Sequence, residues 1–235
     1  MILVEELLQP ITEGNPSGAY LRSDPVYGAI KEARREEESL NQGAWQRELK
    51  TADFPQVIAL STNALQKRTK DLQIAAWLTE ALLRQEGFAG LAAGLNLLYG
   101  LLARFWESVY PPIEEDDYGE PDLEWRVSPL DWVGLALAAE VRSTPLNQAG
   151  HSWHYFIQAT PPEAFNRSFH ETPMAFYLEL EQQLDASLTN LAALTGLCDE
   201  KFGYDSPSFG RLQSALETVG QATQDLLAKK RTELP

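Results

Sequence analysis

The chain has 235 residues, 44% of them hydrophobic, and carries 34 acidic against 19 basic side chains for a net charge of −15. Such a chain can bury a sizeable core, and its negative charge opposes binding to nucleic acid or any other polyanion. The single Cys198 excludes an intramolecular disulfide, and no basic stretch leading into a short apolar run opens the sequence, so a reducing cytoplasm is the expected compartment.

Residues 4–8 can form one short helix, after which Pro10, Gly14, Asn15, Pro16, Ser17 and Gly18 punctuate an irregular arm. Asp24 before Pro25 reads as an N-cap followed by a first-position proline. The helix should run through Val26, Ile30 and Ala33 to the mixed-charge cluster Arg34-Arg35-Glu36-Glu37-Glu38. That cluster reads either as a solvated helix end with ion pairs at helical spacing or as a docking edge where Arg34 or Arg35 meets a partner's carboxylate. Arg22, in the adjoining arm, belongs to the same candidate surface. Asn41-Gln42-Gly43 reads as a turn. Asp53 then caps a helix with Pro55 in its first turn and Val57, Leu60 and Ala64 inward.

Residues 70–112 are apolar enough to form the buried centre. Ile74, Trp77, Leu78, Ala81 and Leu82 surround most of a first helix, and a helix apolar nearly all round belongs inside. Gly87 has the position of a left-handed terminator, and Leu91, Leu95, Leu98, Leu102 and Phe105 restart the period, so an antiparallel hairpin over 70–110 is expected. Pro111 and Pro112 stop its second helix. Gly90 and Gly94 have the spacing of a membrane helix-dimerisation face. The uncharged run containing them falls short of the roughly 20 apolar residues a bilayer demands and includes Asn96, so close approach of two soluble helices is the reading taken, without membrane insertion.

Residues 114–124 hold seven carboxylates and no base, without the ligand spacing and glycine of a calcium loop, and read as a solvated loop. Residues 129–142 should be helical with Trp132, Leu135, Ala136 and Ala139 inward. The aromatic segment 152–159 fits a helix or a strand. Tyr177, Leu180, Leu184, Leu188, Leu191, Leu194 and Cys198 form a long helical stripe broken at Gly203. Asp205 or Ser206 should cap the next helix at Pro207, with Leu212, Leu216, Val219, Thr223 and Leu226 inward. The expected fold is all-α, a bundle of antiparallel helical hairpins or a short solenoid. Its expected parts are a core domain at 1–125 and a packed helical extension at 126–235 ending in a long hairpin, 172–230.

His151 and His154 lie about one helical turn apart and could be imagined as a zinc site with Glu171 or Cys198, or as a metal-dependent enzyme site using the acidic loop. Their spacing fits no standard ligand pattern. No phosphate loop follows a strand, no nucleophile elbow occurs, and Cys198 sits on an apolar stripe where a thiol is inert. No catalytic residue, cofactor or metal ligand is therefore assigned. A helical acidic chain of this kind reads as an interaction module.

A resemblance makes that reading concrete. Lys70-Asp71-Leu72, Trp77 with Glu80, Gly87, Gly90, Gly94, and Trp106 with Tyr110-Pro111-Pro112 resemble the ImpA N-terminal domain of TssA-type proteins of bacterial type VI secretion systems. The likeness extends upstream through Asn15-Pro16-Ser17-Gly18 and Leu21-Arg22-Ser23-Asp24-Pro25, and covers about the first half of the chain. Phe54, where the family usually carries Trp, and Gln73, where a base is common, depart from the pattern. The resemblance implies a non-enzymatic role in contractile-tail assembly, with baseplate, sheath, tube or membrane-complex proteins as partners and self-association beside them.

Overall fold

The longest helix turns back on itself at one glycine. In the computed structural model, which describes residues 3–37, 49–115, 118–119, 121–158 and 162–232, α4 (Leu72–Phe105) is interrupted only at Gly87, with φ 63° and ψ −143°. That conformation strains any residue with a Cβ. The two limbs, 72–86 and 88–105, then lie antiparallel and very close: a Cβ on Gly94 would fall 2.6 Å from Thr79 Oγ1, and one on Gly90 would fall 2.2 Å from the Leu82 carbonyl oxygen. Small residues at these positions are what let the limbs touch.

Around this hairpin stand α1 (Val4–Leu7), α2 (Pro25–Arg34), α3 (Phe54–Lys67), α5 (Glu124–Ser143), α6 (Trp153–Gln158), α7 (Pro162–Glu171), α8 (Met174–Phe202) and α9 (Gly210–Thr232). Helices α3, α5 and α8 pack directly on α4, and α9 fills the angle between α5 and α8. One continuous cluster of buried side chains runs from Leu7 to Leu227. The fold is predominantly helical. Helix α4 is long and apolar enough to cross a membrane by composition, yet it is folded in two, and most of its most apolar stretch is buried inside the protein.

Asp24, Asp53 and Asp71 cap α2, α3 and α4 through their side chains, which accept backbone N–H groups of the first turns. The structure settles one open alternative and departs from expectation in three places. The aromatic segment is helical over Trp153–Gln158, at α6, so the strand alternative falls there. The acidic segment is not all loop: β1 (Glu114–Glu115) pairs antiparallel with β2 (Pro121–Asp122), while Asp116, Asp117 and Glu120 lie outside the described residues, as do Glu38 and Asn41-Gln42-Gly43.

Helix α5 starts at Glu124, not Pro129, and buries Leu130, Val133, Leu137 and Val141. Leu135 is 56% exposed, because α5 is apolar on more than one face and α4 and α9 take the other one. Finally, α9 begins at Gly210. Ser206 Oγ donates to Asp199 at 2.7 Å and the Ser208 N–H donates to Asp131 of α5 at 2.7 Å, so neither Asp205 nor Ser206 caps α9.

Candidate docking surface

The ends of the α4 hairpin are tied to the N-terminal arm. Ala19 N–H donates to the Arg68 carbonyl, Lys70 N–H to the Ser17 carbonyl, and Tyr110 and Leu72 exchange backbone bonds with 70 and 110 at 2.8 Å. The Tyr110 hydroxyl donates to the Gly18 carbonyl at 2.9 Å, and its ring stacks on Tyr20 at 5.1 Å. Two fully buried cations lock this knot. Lys70 Nζ donates to the Leu7 and Leu65 carbonyls at 2.7 and 2.6 Å, at the ends of α1 and α3. Arg126 donates to the carbonyls of Pro111, Trp106 and Val109 at 2.7, 2.5 and 2.7 Å, just past α4. The Leu7, Leu65 and Trp106 carbonyls stand at helix ends, lack intrahelical donors and carry partial negative charge, which suits the cations that meet them. Burial pushes Lys70 down to about 8.

Beside this knot lies a cavity of about 170 Å³, walled by Tyr20 and Arg22 of the arm, Tyr27 of α2, Asp71 at the head of α4, Pro111, and Trp125 of α5. It continues outward into a second hollow of about 280 Å³ that Glu114 also lines. Arg22 lies 4.6 Å over the Trp125 ring, and the neighbouring Tyr20 hydroxyl raises its pKa. Burial pushes the Asp71 carboxyl up to about 6, against the opposing pull of the Ile74 and Gln73 N–H groups and the charge of Arg22. Burial, with the Asp71 charge second, pushes Tyr27 up to about 12.

The charged end of α2 is less available than its sequence suggests. Arg34 Nε pairs with Glu80 Oε2 at 2.5 Å, with the two side chains only 18% and 13% exposed. Its guanidinium lies between Trp77 at 5.3 Å and Trp132 at 5.0 Å. Arg34 is therefore turned inward and mostly shielded, where the sequence suggests an exposed helix end. Arg35 remains half exposed, paired with Glu32 and Glu37 at 3.2 Å, and Lys50 also pairs with Glu32. Arg22 precedes α2 and Arg35 follows it, so ten helical residues, roughly 15 Å, separate the two.

Residues 8–134 match the family described as ImpA, N-terminal, of the type VI secretion system. The chain belongs to this family. A relative from Pseudomonas aeruginosa, named type VI secretion system component TssA1, is 30% identical over 121 residues, which is 52% of this chain and 35% of the relative's length. The structure also superposes with TM-score 0.81 at 30% identity, over 97% of this chain and 95% of the other, on a solved TssA fragment from Burkholderia cenocepacia. That fragment is described as the N-terminal domain including the conserved ImpA_N region.

In this ImpA N-terminal fold the residues that carried the resemblance take distinct positions. Leu72 is core, and Trp77 packs against Tyr27 at 4.7 Å. Trp106 meets Phe202 edge-on at 5.0 Å and lies under Arg126. Glu80 holds Arg34, Lys70 caps helix ends, Gly87, Gly90 and Gly94 build the reversal, and Asp71 and Pro111 line the cavity. Arg126 escaped the sequence reading, although it stands on the stripe 126, 130, 133, 137, 141 and so shares the buried face. His151 and His154 are taken by separate bonds: His151 Nδ1 lies 2.9 Å from Ser168 Oγ with its ring on Tyr155 at 3.9 Å, and His154 Nδ1 lies 3.3 Å from Ser143 Oγ. Burial pushes the Cys198 thiol up to about 12. Among the described residues no three of His, Cys, Asp and Glu converge as a metal would need.

Proposed function

We propose that this chain is a non-enzymatic docking module of a type VI secretion system, acting in the cytoplasm during contractile-tail assembly. Its partners in this proposal are baseplate, sheath, tube or membrane-complex proteins. The observation that carries the reading is the likeness to a TssA N-terminal domain over nearly the whole chain, at 30% identity. The geometry supports it: irregular segments and an arginine-bearing arm are held on a rigid helical core, which is where binding residues concentrate. The division into a core at 1–125 and an extension at 126–235 is part of the same proposal, the extension bracing the core through α5, α8 and α9.

The test is retention of purified tail, baseplate and membrane-complex proteins, one at a time, on the immobilised chain. At least one should be retained, and more weakly as salt rises, since charged rims are screened. Retention of none by a folded chain would sink the docking reading.

A further inference from the structure

We propose that the cavity between Tyr20, Tyr27 and Trp125 receives the lysine or arginine side chain of a partner protein, with Asp71 Oδ2 as its acceptor. This deepens the docking reading and rests on it for the identity of the partner, though not for the binding chemistry.

Asp71 is fully buried, and its two oxygens differ. Oδ1 accepts the N–H groups of Gln73 at 2.8 Å and Ile74 at 3.1 Å, the ordinary work of an N-cap. Oδ2 is buried with no hydrogen-bond partner, in a residue that borders the cavity. Capping alone does not call for a second oxygen, since Asn or Ser caps as well. Asp24 does the same work in α2 at a half-open site, and its carboxylate also receives Arg68, with 2.5 Å to Oδ2. At Asp71 the nearby cation makes no hydrogen bond to the carboxylate: Arg22 lies over Trp125 instead. A buried carboxylate oxygen without a donor, beside a cavity that a donor could enter, is an acceptor waiting for one.

The walls fit a cation. The ring faces of Tyr20, Tyr27 and Trp125 attract positive charge, and Trp125 is 43% exposed, so the entrance is open. Glu114 stands at the outer hollow, and the chain as a whole carries −15. Asp71 and Glu114 outnumber Arg22, which is exposed and would give up its place over Trp125 as the guest enters. An entering ammonium or guanidinium would satisfy Oδ2 while its aliphatic stem lies along the aromatic walls.

The probes are n-butylammonium and n-butylguanidinium chloride, titrated into the ¹⁵N-labelled chain, with n-butanol and butanesulfonate as controls. Saturable shifts are expected at the Trp125 indole N–H and the Gln73 and Ile74 amides with the cations alone. Asp71→Asn keeps the cap and the shape, and should weaken cation binding by at least about tenfold. Absence of saturable shifts, equal shifts with n-butanol, or unchanged binding by the folded Asp71→Asn chain would each overturn the site. With a tail protein that the wild-type chain retains, loss of retention by Asp71→Asn places the basic side chain on that partner. Retention by Asp71→Asn leaves docking standing and removes this cavity from it.

Discussion

Lys70 and Asp71 are sequence neighbours, both ionisable and both without solvent exposure, yet their surroundings are opposites. Lys70 has two carbonyls within 2.7 Å and Phe105 beside it, while Asp71 leaves one oxygen bare. The difference separates two uses of a buried charge. A cation fully met by helix-end carbonyls joins elements that would otherwise end in unpaired acceptors, so Lys70 and Arg126 belong to the fold. A carboxylate half met costs stability and contributes only a cap, so Asp71 belongs to binding.

The largest effect should come from breaking the satisfied side. Arg126→Leu removes the donors of two buried carbonyls and one partly buried carbonyl at once, and each buried group left unpaired costs about 1–3 kcal/mol. A loss of at least about 3 kcal/mol is expected in urea unfolding. A loss under about 1 kcal/mol would place Arg126 among ordinary surface residues and dissolve the comparison.

The opposite sign is expected at Asp71. Its carboxyl is pushed from an ordinary 3.8 up to about 6 in the folded chain, so between those values the folded state holds a proton that the unfolded state has lost. Stability from this group is fully present below about pH 4 and is lost as pH rises through about 6. At pH 7 the accumulated penalty is at most about 3 kcal/mol, from the size of the shift. Asp71→Asn does not titrate. It should therefore be the more stable chain at pH 7 and should lack the decline that the wild-type chain shows between pH 4 and 6. A variant less stable than wild type at pH 7 would mean that Oδ2 has a compensating partner.

The hairpin and its flanking helices were legible in the sequence because their signals are local. Gly87 between two apolar periodic runs announces a reversal, and Asp24-Pro25 and Asp53 announce helix starts. The cavity was not legible. Its residues come from the arm, α2, α4 and α5, and their meeting depends on backbone bonds of 17–19 to 68–70 and of 110 to 70 and 72, which no periodicity encodes. The charge of Arg22 is plain in the sequence, but its seat over Trp125 follows only once α5 begins at Glu124. Setting the start of that helix at Pro129 also hid Arg126, a buried residue of a type that is usually exposed.

The smallest expected effects separate the two arginines at the end of α2. Arg34→Glu would set a carboxylate against Glu80 and remove a cation from between two tryptophan rings, in a pocket where both partners are mostly shielded. A loss of about 1–2 kcal/mol is expected. Arg35→Glu breaks only pairs at a half-exposed side chain and should change stability by less than about 0.5 kcal/mol. The single Arg35→Glu change therefore tests docking at this helix end more cleanly than any change that includes Arg34, because a loss of partner binding could not be blamed on the fold. If α2 docks a tail protein through this end, Arg35→Glu should weaken binding by about tenfold, or 1.4 kcal/mol, at unchanged melting temperature. Unaltered binding would strike this end of α2 from the docking surface and leave Arg22, with the cavity it borders, as the cationic edge that a partner meets.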